Sequence, residues 1–130
     1  IGNTQIGFWD EIVQRRADNF KRFQSVILGN SKLYPIRTDH MDLVSNFAVP
    51  IVAIAADYFD KLRLKFTDAK VEIRPIIAGD MNKQPFFRKY YPKPDICQNA
   101  SLIHKYGFYF PNHPELTEDE IELLCSLVRN

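Results

Sequence analysis

Several things are scarce in this sequence, and each scarcity excludes a class of answer. Cysteine occurs twice, at Cys97 and Cys125. Two such residues do not make the disulfide framework of a small secreted domain. Cys97 has no partner at metal-ligand spacing, and His40, His104 and His113 lack the spacing of a two-histidine metal pair, so no metal site is expected. Glycine occurs five times, never at the spacing of a phosphate loop or a dinucleotide-binding turn, and no GxSxG elbow is present. No run approaches the ~18–20 apolar residues of a membrane helix, and a signal-peptide pattern is missing. A cytoplasmic location is the expectation. Neither charge sign dominates: seventeen basic residues face sixteen acidic ones, net +1. Nucleic acid and membrane surfaces are therefore not expected partners. The first residue is not methionine, the chain opening Ile1-Gly2-Asn3, which suggests a portion of a longer protein.

What is present is the composition of one globular domain. The chain has 130 residues, 45% apolar and 25% charged, enough to bury a core without staples. Residues 6–28 read as a long helix, with Trp9, Ile12, Val13, Phe20, Phe23 and Ile27 on one face. Asn3 or Thr4 is placed to cap it, and Gly29-Asn30 to end it. Arg16 interrupts the apolar stripe; it either snorkels or pairs with an acid on another domain. Residues 30–46 are loop-rich. Residues 47–55 read as a buried strand, with Pro50 marking an edge or bulge. Asp57 is expected to cap a helix over residues 58–69. A strand follows at Val71, alternating through Ile73 to Ile77, with Pro75 limiting it to an edge. Gly79-Asp80 and Lys93-Pro94-Asp95 are turns. Asn99 is expected to cap a short helix through Tyr106 that Gly107 closes, and Phe108–Phe110 is a short strand. Thr117-Glu-Asp-Glu120 is a capping box, with Leu116 and Ile121 as its hydrophobic staple. Ile121, Leu124, Cys125 and Val128 should then face the core. Strand, helix and strand with short connections make the fold class α/β, or an α+β sandwich.

Chemistry is harder to find. Asp57 and Asp60 are explained as helix-start charges. Phe86-Phe87 and Tyr90-Tyr91 are able to stack a base, but a packed aromatic cluster explains them too. The stretch from Val71 to Phe87 holds the best candidate: a guanidinium leaving a strand at Arg74, then Asn82, Lys83 and Gln84 in a polar loop backed by aromatics. Such a set suits an anionic or hydroxyl-rich ligand; it is also how an ordinary strand exit looks. No complete catalytic set is found. A regulatory or binding module, or a portion of an enzyme, remains open.

Two strings carry a resemblance: IRPIIAGDMNKQPFF, and NASLIHKYGFYFPNHPELTEDEIELLC. They resemble the C-terminal part of the DegT/DnrJ/StrS enzymes, which are fold-type I and depend on pyridoxal phosphate (PLP). The opening IGFWDEIVQRRADNFKRF is similar to the long helix by which that family's chain leaves its large domain. The arginine, glycine and Gln-Pro of the first string most resemble the branch with the sugar 3-dehydratases and their aminotransferase relatives. The resemblance implies a small C-terminal domain over residues 1–130, with an interdomain-type helix over 1–29 and an α/β core over 47–130. Its sheet would be small, mixed or antiparallel, and packed by helices. It implies action on nucleotide-linked keto sugars for polysaccharide, lipopolysaccharide or deoxysugar synthesis, by transamination or, alternatively, 3-dehydration. A non-catalytic binding or regulatory module is the other class. PLP and its lysine (histidine in the dehydratases) would belong to an absent large domain. No catalytic residue is therefore assigned here, and the piece alone is expected to be inactive. Substrate contact is expected from Arg74, Asn82, Gln84 and His113. A homodimer is expected for the whole enzyme, and self-association through the first helix for this piece.

Overall fold

The computed structural model describes residues 2–77, 79–93 and 96–129. Its centre is a three-stranded antiparallel sheet in the order β1 (Ala48–Val52), β3 (Gly107–Pro111), β2 (Arg74–Pro75). Both edge strands carry a proline, Pro50 and Pro75. Proline lacks a ladder donor, so each edge resists further pairing. The register sorts the residues by face. Val49 lies beside Phe110 and Ile51 beside Phe108, and these four are at most 2% exposed. On the opposite face Tyr109 lies between Pro50 and Arg74, with Ala48 beside Pro111.

Helices cover only the first face. They are α2 (Trp9–Leu28), α3 (Ala56–Asp68) and α6 (Glu118–Val128). Phe20, Phe23 and Ile27, Leu62 and Phe66, and Ile121, Leu124, Cys125 and Val128 join the four strand residues in one core. Phe23 meets Phe110 edge-on at 5.2 Å between ring centres, and Phe66 meets Phe108 at 5.4 Å. The expected mixed class with a small helix-packed sheet is what forms, and all its pairings are antiparallel.

Several local expectations are corrected. The first helix begins earlier and in pieces: α1 (Gly2–Gln5), a 3-10 turn over Ile6–Phe8, then α2. Asn3 and Thr4 lie inside α1, and Phe8 precedes α2 without any side-chain cap. The apolar stripe of α2 is buried only in its later half; Trp9 is 65% exposed, with no element of the described residues packed over it. Gly29 keeps a right-handed φ of −75°. The Asn30 side chain secures that end instead, donating to the Tyr58 hydroxyl and the Val128 carbonyl.

Asp57 stands within the first turn of α3, after Ala55 at the cap position. There it acts on the helix dipole rather than as a cap. The α3 C-terminus is closed by Lys70, at φ 57°. The Lys70 amide donates to the Thr67 carbonyl and the Val71 amide to the Phe66 carbonyl, a Schellman motif without glycine. The Val71 strand shrinks to Arg74–Pro75; Ile76 turns inward and Ile77 is 72% exposed. Pro75 breaks the ladder, and the Gly79 amide then bonds the Ile76 carbonyl in a turn.

The aromatic segment packs as one ring pair rather than a cluster, Phe87 and Tyr91 lying 5.7 Å apart between ring centres. It forms α4 (Pro85–Tyr90), with Phe86, Tyr90 and Tyr91 exposed by 59, 77 and 54%. Pro94 and Asp95 of the expected turn lie outside the described residues. Asn99 sits inside α5 (Gln98–Tyr106), whose cap residue is Cys97. Gly107 is extended and opens β3; a Cβ there would meet the Ile103 carbonyl oxygen at 2.5 Å. Close approach, not a left-handed turn, requires that glycine. The capping box of α6 forms as expected, the Thr117 hydroxyl accepting from the Glu120 amide and Glu120 from the Thr117 amide.

Candidate functional site

Arg74 leaves the sheet on its uncovered face. A two-residue edge strand cannot bury it, so its side chain is exposed and turns back to Glu72. Its Nε and a terminal nitrogen donate to one Glu72 oxygen at 2.8 and 2.7 Å. That bond holds the guanidinium above its already high ordinary pKa. Arg74, Glu72, Tyr109, Phe47, Ala48 and Pro111 line a cleft of about 230 Å³. Phe47, Ala48 and Tyr109 continue into a neighbouring groove of about 270 Å³ that ends at Ile76 and Ile77. The combined surface is apolar with one cation–carboxylate pair at its rim. Such a pair offers donors and acceptors together, which suits a polyhydroxylated ligand. It holds no serine, threonine, cysteine or lysine.

The next turn is built differently. Gly79 has φ 53°, and a Cβ there would come within 2.2 Å of His104 Nδ1. Glycine is needed on both counts. Asp80 beside it is only 3% exposed. Its carboxylate accepts from the Ser101 hydroxyl at 2.7 Å and the Asn82 amide at 3.1 Å, with Lys83 Nζ at 3.6 Å. The Ser101 bond is the main cause that holds Asp80 below the usual carboxylate range. Asn82 and Gln84 are half-buried in and just after the 3-10 turn Met81–Lys83. The Asn82 carbonyl accepts from Arg88 Nε at 2.8 Å.

The four residues expected to contact substrate are therefore not gathered in one pocket. Neither cleft bordered by Arg74 has Asn82, Gln84 or His113 in its wall. His113 is exposed, accepts from the Glu115 amide at 3.2 Å, and borders a separate cleft against α2. Asp80 and Asn112 are the residues that sequence reasoning missed. Asn112, 1% exposed, donates to the Arg16 and Asn46 carbonyls at 2.9 Å each. It fixes the turn that carries His113. A Gly-Asp turn and an asparagine between two prolines are visible signals, but their partners are distant in sequence.

PLP needs a lysine or histidine at its carbonyl carbon, an acid at its ring nitrogen and a cradle for its phosphate. The clefts around Arg74 and His113 have no lysine in their walls, and Lys83 is held at Asp80. The Schiff-base lysine is thus missing from these clefts, and the histidines in their walls are His113 and His104. Among the described residues, no His, Cys, Asp and Glu group could hold a metal, and no helix is long and apolar enough to cross a membrane.

The profile of the DegT/DnrJ/EryC1/StrS aminotransferase family matches residues 1–129. No curated protein matches the chain. Among solved structures, the chain is similar to E. coli GDP-4-keto-6-deoxy-D-mannose-3-dehydratase with bound hydrated PLP, at TM-score 0.81 and 22% identity, over 98% of this chain and 33% of that one. The Streptoalloteichus hindustanus aminotransferase TlmJ aligns at TM-score 0.74 and 16% identity, over 98% and 34%. Helicobacter pylori PseC, an aminotransferase of pseudaminic acid biosynthesis, aligns at 0.77 and 13%, again over 98% and 34%. The chain thus spans about a third of the solved relatives it matches.

Proposed function

The chain belongs to the DegT/DnrJ/EryC1/StrS aminotransferase family, and from that premise we propose that it is the smaller, C-terminal part of a cytoplasmic PLP-dependent enzyme. The enzyme acts on a nucleotide-linked keto sugar by transamination or 3-dehydration, in polysaccharide or deoxysugar synthesis. The observation that carries the reading is the family match from end to end, on a fold that covers one third of a PLP-bound dehydratase. The lack of a lysine in the walls of the described clefts supports placing the cofactor, and its lysine or histidine, in sequence beyond these 130 residues. PLP supplies the electron sink when bound. This chain supplies part of the substrate wall. Arg74 donates to a sugar hydroxyl or phosphate oxygen while Glu72 holds its fork in plane. Asn82 and Gln84, on the turn that Asp80 anchors, read further hydroxyls on closure of the pocket.

The test uses the whole polypeptide that contains this chain, purified with PLP and glutamate. A PLP absorbance band is expected, with conversion of a nucleotide-linked 4-keto sugar followed by mass. Gain of an amino group identifies transamination, and loss of the 3-hydroxyl identifies dehydration. A whole polypeptide that neither binds PLP nor converts such a sugar overturns the reading and leaves a binding module.

A further inference from the structure

One further cleft is left over by the proposed function. It opens at the β2 edge between α3 and α5 and has a volume of about 340 Å³, with Arg63, Arg74 and His104 in its wall beside Phe59, Ile73 and Phe108. Small-molecule sites begin at roughly 300 Å³. No Asp or Glu borders it, whereas Glu72 borders the other Arg74 cleft, and Glu11 and Glu115 border the α2 cleft. Its donors are also uncommitted. Asp60 stands three residues before Arg63 on α3, the spacing of a helical ion pair. Among the described residues no carboxylate pairs with Arg63; its guanidinium lies over the Phe59 ring instead, at 5.5 Å. Arg74 gives Nε and one terminal nitrogen to Glu72, which leaves Nη1. The Gly79 turn lies so close to His104 Nδ1 that a Cβ there would come within 2.2 Å, so the turn limits where the imidazole can swing. Guanidinium groups carry donors and no acceptor. The ligand that matches two of them is an anion with several oxygens.

We propose that this cleft binds a phosphate group carried by a small organic molecule other than the substrate. Arg63 and Arg74 Nη1 donate to the phosphate oxygens, His104 adds a ring N–H, and the organic part rests on Phe59 and Ile73. The ligand is separate from the sugar because the two clefts lie on opposite faces of β2. Phe108 in this wall belongs to the covered face and Tyr109 in the other to the uncovered one, and the walls share Arg74 alone. The site stands on the cleft and its charges and does not require the proposed reaction.

The test uses the whole polypeptide that contains this chain, with inorganic phosphate and pyrophosphate as probes. Phenylglyoxal modifies accessible guanidinium groups, and mass spectrometry reads each arginine separately. Pyrophosphate protects Arg63 and leaves Arg37, exposed and outside the cleft, as reactive as before. By calorimetry, Arg63→Gln weakens binding of both probes about tenfold, as the loss of a charge-assisted hydrogen bond implies. Arg63→Lys keeps part of the affinity, and His104→Gln lowers it by a smaller factor. In Arg63→Gln, kcat/KM for the nucleotide sugar is unchanged. Arg63 reactivity that pyrophosphate does not alter, or Arg63→Gln binding the probes as the parent does, overturns the site. Protection of Arg63 by the nucleotide sugar, with KM raised in Arg63→Gln, assigns the phosphate to the substrate and overturns the separate ligand. Phosphate binding that depends on Arg63, in a polypeptide that converts no sugar, supports the site and removes the proposed function.

Discussion

The Ser101 hydroxyl, on α5, donates at 2.7 Å to the Asp80 carboxylate, on the turn that follows β2. The bond ties two segments 21 residues apart and sets the turn that carries Asn82 and Gln84. Its consequence is a pH dependence of known sign. Asp80 has its pKa lowered in the fold, so its contribution is present above the ordinary aspartate pKa. It is lost as pH falls through the lowered value. The Asn82 amide, which donates to the same carboxylate, should report this in an NMR titration with a midpoint below the ordinary aspartate range. Ser101→Ala should move that midpoint up. An unmoved midpoint would remove Ser101 from the anchor.

Asn112 should be a costly polar residue to remove. Its side chain joins the carbonyls of Arg16 and Asn46, and its own amide donates to Phe47 at 2.7 Å. Asn112→Ala leaves two buried acceptors without that donor, a loss of about 1–3 kcal/mol. Urea denaturation measures it. A loss below about 0.5 kcal/mol would mean that water replaces the side chain there.

The α6 cap gives a smaller, cleaner prediction. Thr117→Ala should lower stability by about 1 kcal/mol, and Thr117→Ser should recover most of it. Glu120 is held below its ordinary range chiefly by the Thr117 amide. The cap therefore weakens as acid titrates Glu120 through that lowered value. Equal urea midpoints for Thr117→Ala and the parent chain would count against it.

At Lys70 the left-handed backbone makes the opposite prediction. A non-glycine residue there costs about 1 kcal/mol, and glycine removes that strain while adding freedom to the unfolded chain. Lys70→Gly should raise stability by less than about 1 kcal/mol. Lys70→Val should lower it, because a β-branched residue resists that conformation. The two urea midpoints falling in the reverse order would refute the strain.

The α6 box was legible because its signal is local: a hydroxyl and a carboxylate three residues apart make the same bonds wherever the helix docks. The Gly79-Asp80 turn was legible for the same reason. Sheet order was not, since β3 pairs with β1 across more than fifty residues and no periodicity encodes that choice. Residue type also failed to separate inside from outside. Phe23 and Phe86 read alike, yet Phe23 is 1% exposed and Phe86 59%. Arg74, Asn82, Gln84 and His113 were legible only as residue types, and they share none of the described clefts. Where each one points depends on how β2, the Asp80 turn and the Asn112 turn lie against the rest of the fold, which is tertiary information.

Arg74 remains the sharpest test of the substrate wall. In the whole enzyme, Arg74→Ala should reduce kcat/KM for the nucleotide sugar roughly ten- to a hundredfold, mainly through KM, as loss of a charge-assisted contact implies. The PLP spectrum should not change, because the proposed contact of Arg74 is with the sugar nucleotide. Glu72→Gln separates charge from geometry. It keeps an acceptor beside the guanidinium but frees its full charge, which is now shared with Glu72 at 2.7 Å. If Arg74 meets a phosphate, that variant binds the free nucleoside diphosphate more tightly. If it meets a sugar hydroxyl, affinity for the diphosphate stays level and affinity for the whole sugar nucleotide falls. Parent-like kinetics in both variants would remove Arg74 from the substrate wall.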